Sequence, residues 1–371
     1  MRILALESSA DDTCASVVCD NRRVLSNVVI KQNSVHEQHG GIHPYFAIQT
    51  HQANMPFAVQ RALREADLSA SELDGIAFTR GPGIGGCLSV GSNAAKSLAA
   101  ALNKPLVGVH HMQAHALTPF LISPPHLAPR FPFLTLLVSG GHTLLLLAQS
   151  NISFRMLATT LDESIGRSYD KVSRLLELKW GDHGPGAALE SFASQSDYES
   201  NAHESATTLP PSDTTLPEMP KPLPSRLAFS YASLHSAVER HIHAQGGIDQ
   251  VDNESRRSLA RAFQSAAIGQ LEEKVVLALE WCNNNQISIN DLVVSGGVAS
   301  NMYLRSRLQQ CLQRHSASEN PIRLSCPPPA LCTDNAAMIG WASMHRFLAS
   351  DHDDYSIELR PKWDIQELAA H

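Results

Sequence analysis

The chain has 371 residues and 43% hydrophobic content, enough for two domains of ordinary size, each with a substantial core. Its formal net charge of −7 disfavours a protein that grips nucleic acid through overall basicity, so any RNA must dock on a local patch. No apolar run reaches the roughly 18 residues of a membrane span, and the 7 cysteines are scattered without a CxxC pair, which fits a reducing compartment and argues against a thiolate zinc site.

In chain order, ILALESS (3–9), the acidic turn ADDT and CASVVCD (14–20) read as a β-hairpin, and RVLSNVVI (23–30) as a third strand. No basic, apolar leader precedes the first strand, so a presequence is expected to be absent from this chain. An amphipathic helix is predicted over 52–66, then a strand at LDGIAFT, the glycine loop RGPGIGG (80–86), a helix through LSVGSNAAKSLAAAL and a strand at LVGV leading into a histidine-bearing helix. FLTLLVSGGHTLLLLAQ (133–149) repeats the hairpin layout of the N-terminus, which points to a duplicated α/β unit. Residues 193–226 are rich in Ser, Thr and Pro and read as a mobile surface insertion. Later come a strand into a glycine turn (287–301), the helix MYLRSRLQQCLQ, a strand at IRLSCP and a closing helix over TDNAAMIGWASMHRF with Thr333 or Asp334 near its cap.

His111 and His115 lie four apart, on one face of a helix, and can turn both imidazoles to one cation; in a chain with 18 histidines such spacing also arises by chance. Residue 112 is Met, so the HExxH pattern of zinc peptidases is missing. A carboxylate from elsewhere would complete a two-histidine, one-carboxylate face, and Asp334 is the candidate, with helix capping as its alternative role. Three turns, RGPGIGG, VSGGHT (138–143) and VSGGVASN (294–301), let backbone N–H groups approach a phosphate, or serve tight turns that need positive φ. Asn301 could read an adenine edge or cap a helix, and Asp170 could accept ribose hydroxyls or pair with Lys171 or Arg174.

Taken together, ESSADDT, GGIHP, RGPG, HHMQAH, LVSGGHT, YDKVSRLL, SGGVASN, PPPALCTDNAAMIGWA and RPKW resemble, in order and spacing, the TsaD family of tRNA N6-adenosine threonylcarbamoyltransferases. The likeness covers nearly the whole chain outside 193–226 and is strongest to the bacterial and mitochondrial branch. It implies the actin-like ATPase fold of sugar kinases and Hsp70, with two duplicated lobes (1–125 and 126–371) around a nucleotide cleft and a C-terminal segment packing back on the first lobe. It implies a divalent metal, iron or zinc, on His111, His115 and Asp334, with His110 outside the coordination shell. It further implies that Leu137, Val138, Ser139, Gly140, Gly141, Asp170, Gly184, Ser300, Asn301 and Thr333 hold threonylcarbamoyl-AMP.

The implied reaction moves the threonylcarbamoyl group from that adenylate to N6 of adenosine 37 in tRNAs reading ANN codons and releases AMP. Asp11 and Asp12, at the cleft edge in such a fold, are candidates for the general base. The resemblance also implies an adenylate supplied by a separate synthase, a homodimer and a mitochondrial matrix location, with the bacterial cytoplasm as alternative. The chain departs from the family pattern at Ala10, Asp12, Tyr45, Gln49, His183 and His235. A small-molecule kinase or ATPase of the same fold, for which the histidine pair has no purpose, and a non-catalytic nucleotide-binding scaffold are the rival expectations.

Overall fold

The computed structural model describes residues 1–32, 42–181, 184–195, 216–315 and 321–370. Two five-stranded sheets carry the fold, and they have the same topology. The first holds β1 (Arg2–Glu7), β2 (Thr13–Cys19), β3 (Val24–Ile30), β4 (Gly75–Gly81) and β5 (Leu106–His110) in the order β3-β2-β1-β4-β5. The second holds β6 (Phe133–Val138), β7 (Thr143–Ala148), β8 (Phe154–Thr159), β9 (Asp291–Ser295) and β10 (Arg323–Ser325) in the order β10-β9-β6-β7-β8. In each, three antiparallel strands are followed by two parallel ones. The duplication expected from the two hairpins is therefore present in the strand order itself.

Helices cover both faces, which explains why the central strands are apolar at successive positions instead of alternating. In β1, Leu4 and Leu6 pack with Met55 and Ala58 of α1 (Pro44–Glu65) and Ala95 and Ala99 of α2 (Gly85–Leu102). Ile3 and Ala5 point the other way, toward α3 (His111–Ile122) and the late helix Ala336–Leu348, which returns from the far end of the chain to this sheet. The helix predicted over 52–66 starts eight residues earlier because Pro44 occupies its first turn, where a missing N–H costs nothing.

One face of the second sheet, with Leu134, Leu136, Leu145 and Leu147, packs on α4 (Ile165–Leu175), α5 (Pro185–Ser194), α6 (Ala232–Ala244), α7 (Asn253–Asn284) and α8 (Met302–His315). Its other face meets α3, where Met112 and Ala116 join Phe133, Leu137, Leu144 and Leu146. Helix α3 is thus wedged between the sheets, with Ala114, Leu117 and Leu121 turned to the first. At about 1.5–3 kcal/mol for each large apolar side chain taken out of water, this double burial fixes the helix firmly.

Residues 196–215, the middle of the predicted insertion, lie outside the described residues. Its two flanks are tied to α7: Arg261 donates to the carbonyls of Ala193 at 2.8 Å and Gln195 at 2.5 Å, and the buried Lys274 donates to the carbonyl of Leu223 at 2.6 Å. Among the described residues no helix is long and apolar enough to cross a membrane, and the 7 cysteines are free thiols.

Candidate metal and nucleotide site

Parallel strands point their C-terminal ends the same way, and in open α/β sheets ligands bind beyond those ends. Here β1, β4 and β5 end in Glu7, Gly81 and His110, and β6 and β9 end in Val138 and Ser295. Helix α3 starts directly from β5, so His111 and His115 sit at that edge, both at least 95% buried.

The third member arrives from far along the chain. After the short helix α9 (Pro329–Cys332), residues 333–335 lead into α10 (Ala336–Leu348). The expectation that Thr333 or Asp334 caps this helix is wrong: the side chain of Asn335 accepts from Met338 N at 3.0 Å and occupies the cap. That leaves the Asp334 carboxylate free to face the histidines. Its Oδ1 lies 3.1 Å from His115 Nε2 and 3.5 Å from His111 Nε2, and the three candidate donor atoms fall within 4.8 Å of one another.

Both rings are oriented from behind. His111 Nδ1 is 3.0 Å from Glu7 Oε2 and 3.3 Å from Ser9 Oγ, and His115 Nδ1 is 3.5 Å from Ser295 Oγ. With the Nδ1 atoms engaged, both Nε2 atoms turn to Asp334, the arrangement in which a carboxylate fixes the tautomer and direction of a metal-binding histidine. Glu7 is itself buried completely and accepts from the backbone N–H of Ser9 at 2.5 Å and from the Thr79 hydroxyl. His110 takes no part in the cluster: its Nδ1 accepts from Met112 N at 3.1 Å and caps α3.

The electrostatics ask for a cation at this point. Burial works against a charge on His111, but the carboxylates of Asp334 and Glu7 outweigh it and lift His111 to about 10. Burial pushes Asp334 and Glu7 up, yet the charge and hydrogen bonds of His111 hold both below the usual carboxylate range. Two nitrogens and a carboxylate oxygen, backed by a second buried carboxylate, form a donor set suited to a divalent transition metal.

Asp11 and Asp12 are half-buried in the turn after β1; His51 of α1 pins that turn, receiving from Thr13 at 2.8 Å and donating to the carbonyl of Ala10 at 3.0 Å. Burial, then the Asp334 carboxylate, raises Asp11 to about 6, and burial with Asp11 raises Asp12 well above its ordinary value. His142 is pushed down to about 4, chiefly by burial and the His111 charge. The charge of Asp11 adds to the effect of burial on Asp170 of α4.

Two of the glycine turns stand side by side. Val138 and Ser295 end neighbouring parallel strands, and a Cβ on Gly296, whose φ is 97°, would meet the Val138 carbonyl oxygen at 2.4 Å, so the two turns interlock. Gly140 and Gly141 face open space, with nothing within 4 Å of an added Cβ; packing does not demand glycine there, but a bound group drawn close to the backbone would. Ser139 anchors the turn, its hydroxyl accepting from His142 N at 3.0 Å, and Thr333 lies 3.9 Å from the Cβ position of Gly297. Gly184 is buried at the start of α5, while His183 beside it is outside the described residues. Ser300 donates to the carbonyl of Gly297 at 2.6 Å. Asn301 caps α8 by accepting from Leu304 N at 2.8 Å and donates to Gln264 at 3.1 Å, so its amide is already engaged. Lys171 pairs with Glu163 and not with Asp170. Three residues that position the site, Glu7, His51 and Ser295, carry no spacing signal; the only trace of Glu7 is a charge ending an apolar strand.

Asp170 yields a pH-dependent expectation. Burial raises it to about 7 in the folded chain, against roughly 3.9 when unfolded. The folded state therefore holds the proton more tightly, and this contribution to stability, complete below about pH 4, is lost as pH rises through 7. Asp170→Asn, which cannot ionise, is expected to raise the melting temperature at pH 8 and to do so far less at pH 4.5. Equal shifts at both pH values would contradict the assignment.

Comparison with known proteins follows the same lines. The family model for tRNA N6-adenosine threonylcarbamoyltransferase, TsaD, matches residues 23–341. A tRNA N6-adenosine threonylcarbamoyltransferase of Trichlorobacter lovleyi is 38% identical over 100% of this chain and 98% of its own length. A probable mitochondrial enzyme of the same name from Arabidopsis thaliana is 36% identical over 98% of this chain and 75% of its own. Among solved structures, HypF of T. kodakarensis shares the fold with TM-score 0.55 at 13% identity, over 94% of this chain and 48% of that one. The activator of the 2-hydroxyisocaproyl-CoA dehydratase from Clostridium difficile does so with TM-score 0.50 at 11% identity, over 96% and 100%. These likenesses identify the duplicated sheets as an actin-like ATPase fold, and neither a small-molecule kinase nor a silent scaffold is favoured by the family match. From the family match across most of its length and from relatives above one third identity over nearly all of it, the chain belongs to the tRNA N6-adenosine threonylcarbamoyltransferases.

Proposed function

We propose that the chain transfers the threonylcarbamoyl group from threonylcarbamoyl-AMP to N6 of adenosine 37 in tRNAs reading ANN codons, at the site built on His111, His115 and Asp334. The observation that carries this reading is the convergence of those three side chains from distant parts of the chain, with their Nε2 and Oδ1 atoms turned to one point. His111, His115 and Asp334 would hold a divalent ion, iron or zinc, which when bound supplies Lewis-acid polarisation of the acyl carbonyl.

The protein's own groups do the rest. Leu137 to Gly141, Gly184, Ser300 and Thr333 cradle the adenylate, the backbone N–H groups of the turns meeting its phosphate and Asp170 its ribose, while Asn301 holds the start of α8 behind them. As the N6–C bond forms, the bond from the acyl carbon to the phosphate oxygen breaks, and AMP leaves with the negative charge. The N6 proton passes to Asp11, the nearer of the two acidic-turn candidates to the ordinary carboxylate range: at about 6 it is largely ionised at neutral pH yet basic enough to accept a proton. Asp12 keeps that turn acidic. A separate synthase would supply the adenylate, and two copies of the chain would form the working dimer. The mitochondrial name of the Arabidopsis relative supports a mitochondrial location.

The test is nucleoside mass spectrometry on an ANN-decoding tRNA after incubation with this chain and threonylcarbamoyl-AMP. The modified nucleoside at position 37, with AMP released in equal amount, is the expected result. Product formed only when accessory subunits are added would overturn the self-sufficient dimer, and no product under either condition would overturn the reaction.

A further inference from the structure

The sequence motif RPKW has no part in the chemistry above, yet it lies at the centre of a strap that ties the two lobes together behind the site. After α10 the chain joins the edge of the first sheet: Asp353 N donates to the carbonyl of Leu106 at 2.8 Å, and its carboxylate accepts from Gly108 N at 2.7 Å. It then grips the RGPG loop, with Arg80 Nε on the carbonyl of Glu358 at 2.7 Å, Arg360 N on the carbonyl of Arg80 at 3.0 Å and Gly83 N on the carbonyl of Pro361 at 3.1 Å. Finally it crosses over. Ile365 is buried in the cluster formed by Met112 and the second sheet, and Gln366 accepts from Met156 N on β8 at 2.9 Å.

At the crossing point stands Trp363. Its ring lies 4.8 Å from that of His110 and beneath the guanidiniums of Arg80 and Arg360, at 5.2 and 4.8 Å. Its carbonyl accepts from His110 Nε2 at 3.1 Å, while His110 Nδ1 accepts from Met112 N. One imidazole therefore connects the strap to the first turn of the helix that carries His111 and His115. Metal–ligand distances tolerate only about 0.2 Å of error, so the axial position of that turn matters to the cluster.

We infer that the C-terminal strap holds the metal-binding helix in position through Trp363 and His110, which makes both of them positioning residues for the transfer reaction. The inference rests on the metal reading proposed above. Trp363 Nε1 has no hydrogen-bond partner among the described residues, so the ring works through its face, and phenylalanine can replace it. His110→Asn keeps a good helix cap but is too short to reach the Trp363 carbonyl; it separates capping from strapping.

The probe is cobalt(II) loaded into the full chain and challenged with EDTA, with release followed by the ligand-field absorbance. Trp363→Ala and His110→Asn are expected to release cobalt roughly tenfold faster, in line with other groups that orient metal ligands. Their kcat falls while KM for tRNA stays the same, and Trp363→Phe releases at the wild-type rate. If Trp363→Ala fails to fold, His110→Asn carries the test alone. Wild-type release rates in both variants, with only a lowered melting temperature, would reduce the strap to packing and overturn the inference. A wild-type chain that takes up no cobalt overturns the metal reading as well.

Discussion

Asp334→Ala is expected to lose its metal and to form modified nucleoside about 100-fold or more slowly, since even residues that only orient metal ligands cost about 10–100-fold when replaced. The substitution removes the one carboxylate of the ligand set and leaves two imidazoles, a pair too few to hold a catalytic ion with open positions. It is also a clean probe of the site, because Asn335 and not Asp334 caps α10, so the helix keeps its terminus. Metal content by plasma mass spectrometry and nucleoside analysis of the product tRNA are the measurements. A metal-free Asp334→Ala protein that modified tRNA at the normal rate would remove the ion from the mechanism altogether.

Glu7→Gln should weaken metal binding by about 10–100-fold without touching any ligand. Glu7 Oε2 sits 3.0 Å from His111 Nδ1 and is what makes His111 present Nε2 to Asp334. Glutamine keeps the volume and an acceptor oxygen but removes the charge, so His111 becomes a less basic and less firmly directed ligand. Glu7→Ala goes further. It strands the N–H of Ser9 and the hydroxyl of Thr79 in a buried position, each unpaired group costing roughly 1–3 kcal/mol, leaves His111 Nδ1 only the longer contact to Ser9 Oγ, and is expected to lower the melting temperature markedly. Competition with a chelator measures the first effect and thermal melts the second. Metal affinity unchanged in Glu7→Gln would mean that the charge of Glu7 plays no part in making His111 a ligand.

Much of the architecture was legible because burial on both faces leaves a plain mark. Runs such as LLLLA and DLVVS announce sheet centres, the two hairpins announce the duplication, and glycine turns after strands announce where the chain needs close approach. Helix starts were less legible. Nothing in a one-dimensional pattern decides which of Thr333, Asp334 and Asn335 caps the last helix, since all three residue types cap well. Packing decides it: α10 lies on β1 and β2, which brings Asn335 to the cap and Asp334 to the histidines.

Local pattern alone suffices for the two strand–turn–strand units and for the single helical face shared by His111 and His115. Those are consequences of short-range periodicity, which any stretch of chain expresses alone. That Glu7 and Ser295 stand behind the two rings, that Asp334 closes the cluster from 219 residues beyond His115, and that the Trp363 carbonyl meets His110 are visible in the folded chain alone. These contacts exist because β1, β5 and β9 end and α10 begins at one edge of the two sheets, and which strand ends meet is set by the burial of whole faces, a property of the assembled core that no local window of residues contains.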